Sequence, residues 1–444
     1  MKMMKSKINV QRLLAELHRL ATITDCPPSD DPSLPEPTQA VTRIVFTPRD
    51  LEARAWLKDL AREAGFSVRE DAVGNTFLRW EGSEPELGAV GTGSHTDAVP
   101  HAGMYDGTVG VLGGLEAMRS LKESGFKPRR SLETLMFTSE EPTRFGIGCI
   151  GSRLLAGLLD PKKADAFLDR LPETESAEPA GMTLAEVRDA AGFHGDLAAV
   201  ALPRGYYNAW VELHIEQGPL LEREGVEIGV VTNIAAPASY RFTVHGFGGH
   251  AGALLMPDRR DALCAAAEII LSAERHALAA NAESKAAGGS GVDTVATVGT
   301  ASIYPGAVNT VPSRVTMMLD IRDTDVERRN RVMTALRQDV AAVEARRAVR
   351  VTEELINADI PADSDAKILA VIERACDENG ATHRRMVSRA YHDSNFMARV
   401  APIAMIFIPC RNGVSHRPDE YASPESIALG VRVLAQTMAE LSWA

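Results

Sequence analysis

A chain of 444 residues exceeds the size at which one hydrophobic core keeps growing, so two domains are expected. Its hydrophobic fraction of 45% with 24% charged residues describes an ordinary globular protein, and a net charge of -12 excludes nucleic acid or anionic membrane as the main partner, since either needs a clustered basic surface. The five cysteines lack CxxC spacing and are odd in number, which fits a reducing, cytoplasmic compartment and reads them as buried small hydrophobes.

Val10, Leu13, Leu14, Leu17 and Leu20 recur at helical spacing, so the start MKMMKSKINVQRLLAELHRLA is an amphipathic first helix and not a signal peptide. The prolines of DCPPSDDPSLPEPTQ forbid regular structure and predict a surface excursion. Asp50 to Gly65 has a helical pattern, SVREDAVGNTFLRW alternates as a hairpin around Val73-Gly74-Asn75, and LGAVGTGSH is a buried strand ending at His95. Gly107 to Gly125 is a helix with Val109, Leu112, Leu115, Met118 and Leu121 on one face and Gly125 as its left-handed cap. The strand ETLMFTS then delivers Glu140 and Glu141. Strand, helix and strand in that order form a βαβ unit of a mostly parallel sheet, whose ligands sit at the carboxyl ends of the strands. An acidic helical insertion at about residues 160 to 200 precedes the strand YYNAWVELHIEQ, which carries His214 and Glu216.

Near residue 235 the pattern changes. Strand SYRFTVHG, a helix, strands VDTVATVGTAS and RVTMMLDIR, a second helix and strand VRVTEEL follow in the βαββαβ order of a ferredoxin-like sandwich. The first of these helices aligns Leu263, Ala266, Ile270, Ala273 and Ala277. The second has a capping box in Thr324 and Glu327 and buries Val332, Leu336, Val340 and Val343. Between them NAESKAAGGSG has the composition of a flexible linker. From Ser364 the α/β pattern returns: a helix to Gly380, the strand IAMIFIPC, the loop RNGVSHRPDEY and a last helix capped by Ser423 with Pro424 at its first position. The predicted architecture is an α/β domain with a mostly parallel sheet, built from residues 1–235 and 358–444 and interrupted at 236–357 by an inserted ferredoxin-like domain. No stretch approaches the roughly 18 apolar residues of a membrane span.

The chemistry-bearing residues gather at predicted strand ends. His95 offers an imidazole there, and Asp97 can brace it or its surroundings. Asp106 precedes a helix, where it either caps the helix or bridges two cations. Two adjacent carboxylates after a buried strand, Glu140 and Glu141, are costly unless cations neutralise them or one holds a proton. One of them can then bind metal while the other works as general base; a solvated pair at a strand exit is the alternative. His214 and His416 each follow strand-like runs. Either alone reads as a structural hydrogen-bonder, but with His95, Asp106 and Glu141 they make the five ligands of a two-metal site with one bridging carboxylate.

GNTFLRWEG, GSHTDAVPHAGMYDG, EEPTRFGIGCIGSRLLAG, ELHIEQGP, HAGALLMPDRRDA, GAVNTVPSRVTMMLDIRD and NGVSHRPDEY come in the order found in amidases of the hydantoinase/carbamoylase family, and the chain resembles that family over essentially its whole length. The family includes N-carbamoyl-L-amino acid hydrolases, allantoate amidohydrolases and β-ureidopropionases, within the aminoacylase and carboxypeptidase clan. The resemblance implies that His95 and His214 bind one metal, Glu141 and His416 the other, with Asp106 bridging and Glu140 as general base. It implies that His250 reaches across a dimer interface to stabilise the oxyanion in the partner's site. Asn309 and Arg322 would grip the substrate, Arg322 through a bidentate pair with its carboxylate, and Gln217 would contact the ureido group. From the residues alone, Arg322 reads as a surface strand arginine and His250 as a loop histidine.

The protein so implied is a cytoplasmic homodimer whose inserted domain serves dimerisation or as a lid. It holds two divalent ions per subunit, zinc foremost, with manganese, cobalt or nickel as alternatives. Its expected reaction is hydrolysis of the ureido C–N bond of an N-carbamoyl L-amino acid or a relative such as allantoate. An aminoacylase or dipeptidase of the same clan is the competing reading; a non-catalytic ligand-binding dimer predicts a lost ligand or base, and none is lost. Three departures from the family pattern stand out. SRAYHDS puts Arg389 and Tyr391 where small residues are usual, which would narrow the pocket or add a second anchor. HAGALLMP lacks two threonines beside His250, and Pro142 replaces the glycine after the glutamate pair.

Overall fold

The computed structural model describes residues 7–26, 38–171 and 181–444. The proline-rich stretch at 27–37 and part of the acidic insertion at 172–180 lie outside the described residues. The chain divides into two compact units, one of Met1–Thr232, Asp363–Met386 and His392–Ala444, the other of Asn233–Ala362 and Val387–Tyr391.

The first unit is built on a mixed sheet. Leu132–Phe137, Ala89–His95, Tyr207–Ile215 and Ile403–Ile408 lie side by side and parallel. They read as nearly continuous apolar runs because both of their faces are covered, as burial of every residue in LETLMF illustrates. The strand's only charge, Glu133, is held by the Tyr207 hydroxyl at 2.5 Å and the Tyr206 hydroxyl at 3.2 Å. Helices Val10–Ala21, Thr108–Glu123, Ala366–Asn379 and Pro424–Leu441 contribute to one hydrophobic core with this sheet.

The expectation of a mostly parallel sheet needs correction at the flanks. Thr76–Trp80 runs antiparallel to both Leu132–Phe137 and Ser67–Glu70, and Ile228–Ile234 runs antiparallel to Ile403–Ile408. The hairpin explains one flank: Asp71 accepts from the amides of Val73 and Asn75, and so short a turn cannot make the crossover that parallel strands need. Helix Thr108–Glu123 supplies the crossover between Ala89–His95 and Leu132–Phe137, so the βαβ unit forms as its pattern predicts.

In the second unit, Ala236–His245, Val295–Tyr304, Arg314–Asp323 and Arg350–Ala358 form an antiparallel sheet in the order Val295–Tyr304, Arg314–Asp323, Ala236–His245, Arg350–Ala358. Alternate residues of Arg314–Asp323 are buried and pack with helices Ala262–Ala286 and Val326–Arg347. Several local expectations fail. The first helix buries Ala262, Ala265, Ala266, Ile269 and Ala273, leaving Leu263 exposed and Ile270 only partly covered; alanines let the helix sit close on the stripe beside the bulkier one. That helix also continues through Asn281–Ala286, so only the end of the supposed linker is non-helical. Asp325, not Thr324, caps the second helix by accepting from the Arg328 amide. Cys264 is exposed, while Cys26, Cys149, Cys376 and Cys410 are buried. No helix among the described residues is long and apolar enough to cross a membrane.

Candidate metal centre

Because four strands run parallel, their carboxyl ends share one edge of the sheet. His95 is the last residue of its strand and pairs in register with Phe137, three residues before Glu140. His214 is the penultimate residue of Tyr207–Ile215, and Ile408 pairs with Ile215 before the loop that carries His416. Asp106 enters from the loop before Thr108–Glu123. Gly107 occupies that helix's N-cap position with φ 67° and there is no side-chain cap, so the reading of Asp106 as a helix cap falls away.

The Asp106 carboxylate is the point on which three imidazoles converge. Its Oδ1 lies 3.2 Å from His214 Nε2 and 3.6 Å from His95 Nε2, and its Oδ2 lies 3.2 Å from His416 Nε2. His416 Nε2 is also 3.4 Å from Glu141 Oε1, and His95 Nε2 is 3.7 Å from Glu140 Oε2. His95, Asp106 and His214 thus form one candidate group for a cation, and Asp106, Glu141 and His416 a second, sharing the aspartate.

The donor set fits divalent cations on a point of hydrogen-bond chemistry. His95 Nδ1 is 2.9 Å from the Asp97 carbonyl and His214 Nδ1 is 2.9 Å from that of Ile215. A carbonyl only accepts, so Nδ1 of each ring carries a hydrogen, and in the neutral ring that leaves the Nε2 lone pair, the metal-binding one, toward Asp106. The Gly107 amide donating to His214 Nε2 at 3.1 Å agrees with that tautomer. Rings aimed in this way at one carboxylate are oriented to share a cation with it. The charges point the same way: burial, with Glu141, Asp97 and Asp106 nearby, pushes Glu140 up to about 8, and burial with Asp106 pushes Glu141 up to about 7. Burial opposes ionisation of Asp106 too, but the three imidazoles around it, His214, His416 and His95, hold it well below the carboxylate range. Against burial, the carboxylates raise His95 and His214, and Asp106 pushes His416 up to about 10, so the cluster draws in positive charge, as protons on the rings or as a metal in their place; imidazole with carboxylate oxygen suits zinc, manganese, cobalt and nickel.

Asp97 braces the neighbourhood as one of its two readings suggests: its carboxylate accepts from the Glu141 amide at 3.0 Å and the Glu140 amide at 3.4 Å. Gln217 donates from Nε2 to Asp106 Oδ2 at 2.6 Å. Sequence reasoning passed over Ser415 and Glu420, both inside the quoted NGVSHRPDEY stretch, and over His392, which forms a further buried group with Glu212 and His214. Glu212 there is bound by the hydroxyls of Ser94 and Ser394.

His250, Asn309 and Arg322 belong to the second unit. His250 and Thr310 pair across a short two-stranded ladder, and the Ala251 amide donates to the Asn309 carbonyl, which brings His250 and Asn309 together. His250 is exposed, and its Nδ1 accepts from the Gly252 amide at 3.1 Å, so Nε2 is the ring's donor. The loop that lacks two threonines closes through Ala253 and Leu254 amides on the His250 carbonyl and through Arg259 on the carbonyls of Ala251 and Leu254. Arg322 Nε contacts Asp320 Oδ1 at 2.7 Å. Arg389 and Tyr391 are engaged within their own unit, Arg389 with Asp293 at 3.1 Å and the Val292 carbonyl, Tyr391 with Asp359 at 2.6 Å. Those partners account for their bulk and charge at positions usually small.

Residues 91–440 match the model of peptidase family M20/M25/M40. The chain is 50% identical over 410 residues to a ureidoglycolate hydrolase of Oryza sativa subsp. japonica, covering 91% of this chain and 81% of that protein. It is 38% identical over 408 residues to an N-carbamoyl-L-amino acid amidohydrolase of Geobacillus stearothermophilus, covering 92% and 95%. The crystal structure of AtUAH in complex with glyoxylate superposes with a TM-score of 0.86 at 46% identity over 99% of both chains.

Proposed function

The chain belongs to peptidase family M20/M25/M40, and on that premise we propose that it is a binuclear metal-dependent amidohydrolase that cleaves the ureido C–N bond of a small ureido acid, ureidoglycolate first, with allantoate and N-carbamoyl L-amino acids as relatives. The observation that carries the reading is the convergence of His95, His214 and His416 on the two oxygens of Asp106. Similarity to a ureidoglycolate hydrolase and to an N-carbamoyl-L-amino acid amidohydrolase supports the substrate class.

His95, Asp106 and His214 would hold one divalent ion, and Asp106, Glu141 and His416 a second. Bound there, the ions supply Lewis acidity and make water a nucleophile near neutral pH. Glu140, beside His95 yet outside both candidate groups, takes the proton from water at a side-chain oxygen and returns it to the leaving nitrogen. Arg322 binds the substrate carboxylate with its guanidinium fork, and Asn309 adds an amide contact. His250, with Nε2 as donor, stabilises the oxyanion in a partner subunit's site. Gln217 orients Asp106 and can turn to the ureido group. The inserted unit, read as ferredoxin-like, serves dimerisation or as a lid, and the enzyme works as a cytoplasmic homodimer.

The test is a panel of ureidoglycolate, allantoate, N-carbamoyl, N-acetyl and dipeptide substrates. A ureido compound should have the highest kcat/KM and release ammonia. A preference for acetyl or peptide substrates would favour the aminoacylase or dipeptidase reading.

A further inference from the structure

The two candidate ion groups share Asp106, yet Asp106 and His416 lie on loops separated by about 310 residues of chain, and something must hold those loops in mutual register. Glu420 is buried between them with 2% of its surface exposed. Its Oε1 accepts the amides of Tyr105 at 2.8 Å and Asp106 at 2.9 Å. Its Oε2 lies 2.7 Å from Ser415 Oγ, which lies 2.7 Å from Asp106 Oδ2. One carboxyl group therefore holds the main chain of the shared aspartate and, through a hydroxyl beside His416, reaches that aspartate's side chain. Gly103 makes room for it: a Cβ at that position would sit 2.3 Å from Glu420 Cβ. The rings of Tyr105 and Tyr421 meet edge to face at 6.1 Å and close the junction.

We propose that Glu420 is a positioning residue that clamps the Asp106 loop to the His416 loop, so that affinity for the ion held by Asp106, Glu141 and His416 depends on it far more than affinity for the ion at His95 and His214. The inference rests on the two-ion reading above. Glu420 touches neither ligand nitrogens nor, in this assignment, the substrate; it acts through Asp106 and Ser415. Its geometry explains why an acid sits four residues past His416 in the same loop.

Cobalt(II) titration of the metal-stripped full chain, followed by its visible d–d absorption and by calorimetry, reads the two ions separately and independently of turnover. Wild type should bind two ions. Glu420→Ala should keep the first affinity and weaken the second by about 10- to 100-fold, as loss of an outer partner of a ligand does. Glu420→Gln, which retains an acceptor for both amides and can donate to Ser415, should restore most of the second affinity. Ser415→Ala, which removes the hydroxyl link, and Gly103→Ala, which displaces Glu420 without deleting a polar atom, should weaken the same ion and decide the matter if Glu420→Ala does not fold. Variants that bind both ions as wild type does overturn the clamp alone. A wild type that binds fewer than two ions overturns the two-ion reading and the clamp with it.

Discussion

Gly107 offers a sharp test of how tightly the candidate centre is packed. It has φ 67°, between the shared aspartate and helix Thr108–Glu123, and a Cβ there would lie 2.5 Å from His95 Nε2. Ordinary contact requires roughly 3.5 Å, so in Gly107→Ala the imidazole must withdraw by about 1 Å. Metal–ligand distances tolerate only about 0.2 Å, so that withdrawal would take His95 out of reach of an ion held with Asp106 and His214. A misplacement of that size also costs on the order of 100-fold in rate when it reaches reacting groups. With φ 67° and ψ -44° the backbone lies where residues bearing a Cβ are rare, adding about 1–3 kcal/mol of strain once a Cβ is present, which should lower the melting temperature by a few degrees. The assay is metal content after dialysis, alongside kcat and a thermal melt. Gly107→Ala protein that keeps full metal content and full rate would refute the packing argument.

Other consequences extend beyond that loop. Exhaustive chelation should abolish hydrolysis and lower the melting temperature, with both restored by zinc or manganese; activity that survived complete removal of metal, verified by elemental analysis, would contradict the ion sites. Arg322→Lys should raise KM by about 10- to 100-fold with a smaller change in kcat, because an ammonium cannot replace the fork; an unchanged KM would remove Arg322 from substrate binding. Arg54 and Asp50 form a fully buried pair at 2.8 Å, so Asp50→Ala should cost about 3–5 kcal/mol in a denaturant melt, and a loss below about 1 kcal/mol would show the arginine content without its partner. Asp339, hydrogen-bonded by Ser272 and His276, is held down to about 2. Its folded pKa lies below the unfolded one, so its contribution is present above about pH 4 and fades as pH falls toward 2. The stability gap between wild type and Asp339→Asn should narrow across that window, and a gap that widened on acidification would contradict the sign.

Much of the architecture is legible in the sequence because local chemistry and tertiary demand agree there. Thr108–Glu123, the hairpin Ser67–Glu70 with Thr76–Trp80, and the Ser423 cap with Pro424 follow from periodicity, turn residues and capping. The rest depended on partners far along the chain. Antiparallel flanks are invisible in any single strand, since pairing direction lies between strands. Leu263 is apolar yet exposed because alanines beside it let the helix lie closer to the sheet. At the site, each candidate ligand is a weak signal alone, and only their meeting at Asp106 distinguishes them from surface polar residues. The Gln217 amide on Asp106 and the Glu420 contacts could not be read from spacing, because both depend on which loop folds over which.

Glu140 carries the central claim, being the proposed proton carrier that lies outside the candidate ion groups among the described residues. Ammonia release from ureidoglycolate, followed in parallel for metal-loaded wild type and Glu140→Gln with metal content measured on the same samples, tests it most directly. Wild type should turn over, and the variant should hold the same metal while its kcat falls by about 100- to 10,000-fold, the range general acid–base catalysis supplies. A variant that hydrolyses ureidoglycolate at the wild-type rate, or a fully loaded wild type that releases no ammonia from any ureido acid, would contradict the account.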